Sequence, residues 1–139
     1  MKTIKVYTDG GSRGNPGPAA IGVYVTDEND QVLAEISKSI GNSTNNYSEY
    51  QAVAVALESL KKEFGKKTKA MNFDFKLDSE LVKKQLTGEY QIKDPGLVPV
   101  YMQIHNLLVS NFPHITFTHV PRAQNKNADR LVNQALDKK

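Results

Sequence analysis

Hydrophobic and β-branched residues are concentrated in three short segments at the start of the chain, with polar turns between them. The segments cover residues 3–9, 20–27 and 31–40, and only three polar residues separate the second from the third. Runs of this composition bounded by Gly, Asn and Asp are typical of strands. Because the connections are short, we expect an antiparallel meander.

The spacing of apolar residues then changes to that of a helix. From residue 46 to about residue 65, apolar side chains recur every three or four positions, at Tyr50, Val53, Ala54, Leu57 and Leu60. Residues 71–78 alternate between apolar and polar types, which predicts a half-buried strand. Residues 79–86 and 97–112 have helical patterns, and residues 114–120 form a last predicted strand. A closing helix is marked by its apolar residues Ala128, Leu131, Val132, Ala135 and Leu136.

The predicted order β-β-β-α-β-α-α-β-α specifies an α/β fold. A meander followed by crossover units favours a mixed five-stranded sheet, three antiparallel strands and then parallel ones, flanked by helices. The 139 residues match the length of one domain, and we assign residues 1–139 to a single domain. Ligands of such sheets tend to bind beyond the carboxyl ends of the strands.

Composition narrows the classes of function. The absence of cysteine excludes thiol nucleophiles, zinc ribbons and disulfide scaffolds. The longest apolar run, AVAVAL, is far too short to span a membrane, and the N-terminus lacks the pattern of a secretory signal. We therefore expect a cytoplasmic protein without membrane contact and, since no hydrophobic stripe is left over, a monomer. The net charge of +3 permits nucleic acid as a partner.

The first predicted strand ends in an aspartate that is followed by a glycine-rich stretch, TDGGSRGNPG, residues 8–17. These glycines do not match a dinucleotide fingerprint, which needs a helix directly after them, or a P-loop, which needs Lys followed by Ser or Thr. We expect the stretch to deliver Asp9 to the edge of the sheet and to continue as a loop of small residues that a ligand can approach.

Four acidic residues are predicted at the ends of elements along one edge of the sheet. Asp9 and Asp78 end strands, Glu49 lies in the first turn of the long helix, and Asp129 lies in the first turns of the last helix. Each also has a local explanation: a turn residue for Asp9, a helix cap for Asp78, a capping pair with Asn46 for Glu49, and a charge that complements the helix dipole for Asp129. A shared function explains in addition why all four fall at one edge.

Carboxylates at this spacing need a counter-charge. If the strands that end in Asp9 and Asp78 are neighbours, the two groups lie about 5 Å apart and repel each other. Mg²⁺ resolves the conflict because it prefers carboxylate oxygens. Two such ions about 4 Å apart activate a water molecule and stabilise the leaving oxygen in a phosphoryl displacement, so the pattern predicts phosphodiester cleavage.

Four blocks of the sequence resemble the signature motifs of type 1 ribonuclease H, in the same order and spacing. They are YTDGGSRGNPGPAA, STNNYSEYQAVAVALESL, LDSELVKKQL and THVPRAQNKNADRLVNQAL. The resemblance implies the ribonuclease H-like fold and an endonuclease that cuts the RNA strand of RNA/DNA hybrids, leaving 5′-phosphate and 3′-hydroxyl ends. It also implies two Mg²⁺ ions, with Mn²⁺ as an alternative: Asp9 would bridge both, Asp129 would help to hold the ion that activates water, and Glu49 with Asp78 would hold the other.

The same resemblance assigns substrate contacts to residues around the carboxylates. Asn15 and the residues before the long helix match positions that contact the backbone and minor groove of the hybrid, although cap and turn roles explain the latter equally well. Glu49 would lie near the 2′-hydroxyl of the cleaved nucleotide, a contact that tells RNA from DNA. The predicted substrate contacts are Gly10, Gly11, Ser12, Asn15, Thr44, Asn45, Asn46, Ser79 and Glu80.

Two residues, one near the end of the last predicted strand and one just after it, are further catalytic candidates. His119 lies ten positions before Asp129, and in bacterial family members a loop histidine at this offset assists proton transfer and product release. A lone histidine at a strand end is nevertheless more often structural. The segment VPRAQN departs from the usual glycine-containing loop and resembles a branch in which Arg122 would serve the electrostatic role of that loop.

Two departures from the bacterial pattern bear on substrate binding. Glu80 occupies a place where bacterial relatives often have Gln, and the segment from Gln85 to Tyr101 is too short for the basic helix and loop with which many relatives grip the hybrid. We therefore predict weaker or more salt-sensitive binding, in which Lys83, Lys84 and Lys93 substitute in part for the missing handle.

Two other functions fit the same sequence. A nucleic-acid-binding module that has lost turnover would keep the fold, but we expect such a protein to lose one of the four acidic residues. A junction resolvase or transposase core shares the broad fold, but the Glu in the long helix together with the TDGG block favours a ribonuclease H.

Overall fold

The structure, a computed structural model, describes residues 1–138 and contains a mixed sheet of five strands. The strands are β1 (Lys2–Ser12), β2 (Gly17–Asp27), β3 (Val32–Ser43), β4 (Met71–Leu77) and β5 (Ile115–His119). Their order across the sheet is β3-β2-β1-β4-β5; β1, β2 and β3 pair antiparallel, and β1, β4 and β5 pair parallel. The predicted α/β fold, with three antiparallel strands and then parallel ones, is confirmed.

Helices cover both faces of the sheet. They are α1 (Asn45–Phe64), α2 (Glu80–Leu86), α3 (Val98–Asn111) and α4 (Lys126–Leu136), with 3₁₀ turns at residues 65–70, 95–97 and 122–124. Successive residues of a strand face opposite sides: Gly10 of β1 faces α1, and Gly11 faces α4. Among residues 1–138, no helix has an apolar stretch of sufficient length to cross a membrane.

The main core lies between α1, α3 and one face of the sheet. Ile4 and Val6 of β1 and Phe73 and Phe75 of β4 alternate with more exposed residues, as the period of a half-buried strand requires. Tyr50 of α1 is fully buried against them. Beneath α4, on the other face, lies a separate and smaller apolar cluster of Ala20, Val132, Ala135 and Leu136.

The first three strands extend beyond their predicted bounds, and one extension changes the interpretation of the glycine stretch. β1 continues to Ser12 because Gly10, Gly11 and Ser12 pair with residues 19–21 of β2. β2 correspondingly begins at Gly17, and β3 continues to Ser43. The prediction that β1 ends at Asp9 and that a loop follows directly was wrong, since the connection is limited to residues 13–16.

Two acidic residues that have a local explanation as capping residues do not cap helices. Thr44 is the N-cap of α1, where its hydroxyl accepts a hydrogen bond from the backbone N of Tyr47 (3.2 Å). Glu49 is therefore in the second turn of α1, not the first, and is not half of a capping pair. Ser79 caps α2 by accepting from the backbone N of Val82 (3.2 Å), so Asp78 is not the cap. Helix capping therefore does not explain the presence of Glu49 and Asp78.

Candidate active site

Strand register brings Asp9 and Asp78 together. The parallel pairing of β1 with β4 ends at Thr8 opposite Leu77. The next residue of each chain segment is an aspartate, and residues in register on neighbouring strands lie about 5 Å apart. β1 and β4 are thus neighbours, which is the condition on which the predicted juxtaposition of Asp9 and Asp78 depended.

A close approach of α1 to β1 adds Glu49 to this pair. A Cβ atom on Gly10 would lie 2.3 Å from the carbonyl carbon and oxygen of Ser48 and 2.5 Å from the backbone N of Glu49. The missing side chain of Gly10 therefore lets the helix backbone rest directly on the strand. A Cβ atom on Gly11 would meet only Val132 Cγ1, at an ordinary 3.6 Å. Gly10 thus has a packing role, and its substrate contact stays a prediction.

Three carboxylates form a compact group at this point. Asp9, Glu49 and Asp78 each offer an oxygen, and these oxygens lie within 4.8 Å of one another. Asp129, in the first turn of α4, is outside this group but near enough that its charge raises the pKa of Asp9. All four predicted acidic residues therefore lie in one region.

Burial and mutual repulsion disfavour the ionised form of the carboxylates in this group. Burial raises the pKa of Asp9 from 3.8 to about 8, and the charges of Asp78, Glu49 and Asp129 act in the same direction. Burial likewise raises the pKa of Glu49 to about 7, although a hydrogen bond with Ser79 and the positive charge of Arg122 oppose the rise. A bound cation would favour the ionised form of such groups.

The predicted substrate contacts near the start of α1 form one hydrogen-bond network. Asn45 Oδ1 accepts from the backbone N of Ser12 (2.9 Å) and from its Oγ (3.1 Å), and the backbone N of Asn45 donates to Asn15 Oδ1 (3.1 Å). The network joins the end of β1 to the first residue of α1. Asn46 lines a neighbouring groove together with Tyr90 and with Lys93, one of the predicted handle substitutes.

The remaining candidates lie in α2, at the end of β5 and in the 3₁₀ turn before α4. His119 ends β5 with Nδ1 at 3.9 Å from a carboxylate oxygen of Glu80, and Lys84 Nζ lies 3.1 Å from the other oxygen of Glu80. Arg122 lies in the 3₁₀ turn before α4, close enough to lower the pKa of Glu49. Lys83 pairs with Glu89 at 3.1 Å. The catalytic roles of His119 and Arg122 stay predictions.

Asn125 is a residue of this region that the sequence did not single out. Its side chain is buried, and Nδ2 donates to the carbonyl of Thr8 (2.9 Å) and to Asp78 Oδ2 (3.3 Å). An asparagine just before a helix has the ordinary sequence signal of an N-cap. The contact with Asp78 depends on residues that are distant in the sequence, and no local pattern reports it.

A second buried polar contact was also missed. The hydroxyl of Tyr50 in α1 donates to Gln85 Oε1 in α2, and Gln85 Nε2 donates to the carbonyl of Gln91 (3.2 Å). Burial raises the pKa of Tyr50. The apolar period of α1 predicts burial of Tyr50 but gives no information about its partner.

Comparison with known proteins places the chain in a family. The sequence model of the reverse transcriptase-like family matches residues 7–135. Ribonuclease HI of Halobacterium salinarum is 42% identical over 134 residues, which are 96% of this chain and 64% of that protein. LC11-RNase H1, isolated from compost by a metagenomic approach, is 46% identical with a TM-score of 0.94, covering 99% of this chain and 97% of that one. The chain belongs to the type 1 ribonuclease H family.

Other members of the type 1 ribonuclease H family differ from this chain in length. A bifunctional protein of Mycobacterium tuberculosis is 41% identical over 138 residues, but these are only 36% of its length. The chain thus spans less than two thirds of the H. salinarum and M. tuberculosis proteins.

A structure of LC11-RNase H1 in complex with an RNA/DNA hybrid matches this chain with a TM-score of 0.92 over 96% of each chain.

Proposed function

We propose that this chain is an endonuclease that hydrolyses the RNA strand of RNA/DNA hybrids by a two-metal-ion mechanism, leaving 5′-phosphate and 3′-hydroxyl ends. The observation that carries the proposal is the group formed by Asp9, Glu49 and Asp78, whose oxygens lie within 4.8 Å of one another. The hybrid bound to LC11-RNase H1, at 46% identity, supports the substrate class.

The donor set fits a hard divalent cation. All three ligand atoms are carboxylate oxygens, which suit Mg²⁺ or Mn²⁺. The raised pKa values of Asp9 and Glu49 indicate charges that a cation would stabilise. Asp9, Glu49, Asp78 and Asp129 would hold the ions, and bound ions would supply an activated water and stabilisation of the leaving oxygen.

The other residues would bind substrate and handle protons. The network of Ser12, Asn15 and Asn45 joins the end of β1 to the start of α1, the two elements that carry Asp9 and Glu49. Its short polar groups would recognise the shape and the 2′-hydroxyls of a nucleic acid, not its base sequence. His119 is exposed at the end of β5, where an imidazole would exchange a proton with the leaving oxygen. Arg122 would offset negative charge as the phosphodiester approaches Glu49.

The test is cleavage of labelled RNA/DNA hybrid, duplex RNA and duplex DNA, each with Mg²⁺ and with EDTA. We expect cleavage of the RNA strand of the hybrid with Mg²⁺ and none with EDTA. The products should carry a 5′-phosphate that a phosphatase removes. Asp9→Asn should abolish cleavage, whereas Glu58→Gln, the same chemical change on the exposed side of α1, should not. Cleavage that survives EDTA or Asp9→Asn would contradict the mechanism.

Two results would point to other functions. Tight binding of the hybrid without cleavage would indicate a binding module that has lost turnover. Cleavage of duplex DNA in preference to the hybrid would indicate a different nuclease of the same fold. The single domain over residues 1–139, the monomeric state and the cytoplasmic location stay predictions, and the first two are tested by limited proteolysis and light scattering.

A further inference from the structure

Asn125 stands where the elements that carry three of the acidic residues meet. It is 1% exposed. Nδ2 donates to the carbonyl of Thr8, the residue before Asp9 in β1 (2.9 Å), and to Oδ2 of Asp78, the residue after β4 (3.3 Å). The carbonyl of Asn125 accepts from the backbone N of Asp129 in α4 (3.1 Å). One residue is therefore bonded to β1, to the carboxylate that follows β4, and to the helix that bears Asp129.

The side chain of Asn125 does not cap α4, although Asn125 is the N-cap residue of that helix. Asn125 is the N-cap residue of α4, where the side-chain oxygen of an asparagine normally accepts a hydrogen bond from the first turn of the helix. Here the side chain makes no capping bond, and Oδ1 is buried without a hydrogen-bond partner among residues 1–138. The side chain of Asn125 therefore makes no hydrogen bond through Oδ1 and two through Nδ2.

The orientation of the amide follows from its partners. The Thr8 carbonyl and the Asp78 carboxylate oxygen both accept hydrogen bonds, so only an NH₂ group can face them. Exchange of the two amide ends would bring three oxygens together in a buried place. The amide thus holds one oxygen of Asp78 at a fixed distance from β1, and the rest of that carboxylate is oriented with it.

We propose that Asn125 is a positioning residue that orients Asp78 and thereby sets the affinity of the carboxylate group for divalent cations. The proposal rests on the proposed metal-dependent function. Partners that orient ligand side chains through hydrogen bonds typically change metal affinity or activity by roughly 10- to 100-fold when they are removed. Asn125 acts through Asp78 and need not touch the substrate.

The test compares Asn125→Ala with Asn127→Ala, a control two residues away with an exposed side chain. Mn²⁺ binding is measured by calorimetry without nucleic acid, and cleavage of the hybrid is measured over a range of Mg²⁺ concentrations. We expect Asn125→Ala to raise the Kd for Mn²⁺ at least about tenfold and Asn127→Ala to leave it unchanged. Excess Mg²⁺ should restore kcat in Asn125→Ala, and KM for the hybrid should change little, because the Ser12–Asn45 network is intact.

Each other outcome counts against the proposal. An unchanged Kd for Mn²⁺, or a low kcat that excess Mg²⁺ does not restore, would overturn the positioning role. Asn125→Ser, which keeps a small polar group, is the second variant if the alanine variant does not fold. If neither variant folds, Asn125 is a structural residue and the proposal is wrong.

The two proposals fail in different ways. Wild-type protein that binds Mn²⁺ but does not cleave the hybrid would refute the proposed function, and the Mn²⁺ affinity of Asn125→Ala would still decide the role of Asn125. Wild-type protein that binds no Mn²⁺ would refute both.

Discussion

The half-buried carboxylate of Asp9 leads to a specific expectation for the stability of the metal-free protein. Its pKa rises from 3.8 to about 8 in the folded protein, first through burial and then through the charges of Asp78, Glu49 and Asp129. Between these two values the folded protein holds a proton that the unfolded chain has released, so this residue makes the protein less stable as pH rises. Each pH unit in that window costs about 1.4 kcal/mol.

Asparagine has nearly the shape of a protonated aspartate and needs no proton. At pH 7, about three units above the unfolded value of 3.8, Asp9→Asn should remove a penalty of up to about 4 kcal/mol. For a chain of 139 residues this raises the Tm by roughly 10–15 °C. At pH 5 the gain should shrink to roughly 1–2 kcal/mol.

Thermal unfolding in EDTA, followed by circular dichroism at both pH values, measures this difference. Glu58→Gln is the control, because Glu58 is exposed on the same helix as Glu49 and should show neither the gain nor its pH dependence. Mg²⁺ should narrow the gap, since it stabilises only a protein that binds it. An Asp9→Asn variant no more stable than wild type at pH 7, or a gain that does not grow with pH, would refute the reasoning.

Three further changes test other parts of the site. Gly10→Ala should destabilise the protein by about 1–3 kcal/mol in urea unfolding and lower nuclease activity, because its Cβ would overlap the α1 backbone. Gly11→Ala should have little effect on stability, and an equal loss of stability in the two variants would refute the packing role of Gly10. Glu80→Gln should release Lys84 from its ion pair, so that the hybrid binds a few-fold more tightly and its affinity depends more steeply on salt concentration. An unchanged salt dependence would show that Lys84 does not contact phosphate. His119→Ala should lower kcat by at least roughly tenfold without changing the Kd for Mn²⁺, and an unchanged kcat would leave the assisting role to Arg122 or to water.

The sequence predicted that Asp9 and Asp78 meet if their strands are neighbours, because both residues were placed at the ends of strands with clear periodicity. The change from a meander to crossover units favours parallel pairing, and parallel strands end at the same edge; the structure shows that these two strands are neighbours. The end of β1 was misplaced for a related reason. Gly10 and Gly11 have low strand propensity, and their place in β1 depends on pairing with β2, which no local pattern reports.

The contacts between distant elements could not be predicted. Gly10 looked like part of a substrate loop, but its lack of a side chain is required by the helix that crosses it. Asn125 looked like an N-cap, and only the position of Asp78 shows that its amide is used elsewhere. In both cases the decisive partner lies more than 35 residues away in the sequence.

The separation of α4 from the main core implies that the protein does not unfold as a single cooperative unit. α4 buries only small and medium-sized apolar residues, Ala128, Leu131, Val132 and Ala135, whereas the main core includes Tyr50, Phe73 and Phe75. Elements that bury little apolar surface unfold locally at a lower free energy than the whole domain. We expect the amide hydrogens of α4 to exchange with solvent sooner than those of β1 and β4. On warming, Asp129 would then leave the site while Asp9, Glu49 and Asp78 are still in place, and the docking of one helix would set the upper temperature of function.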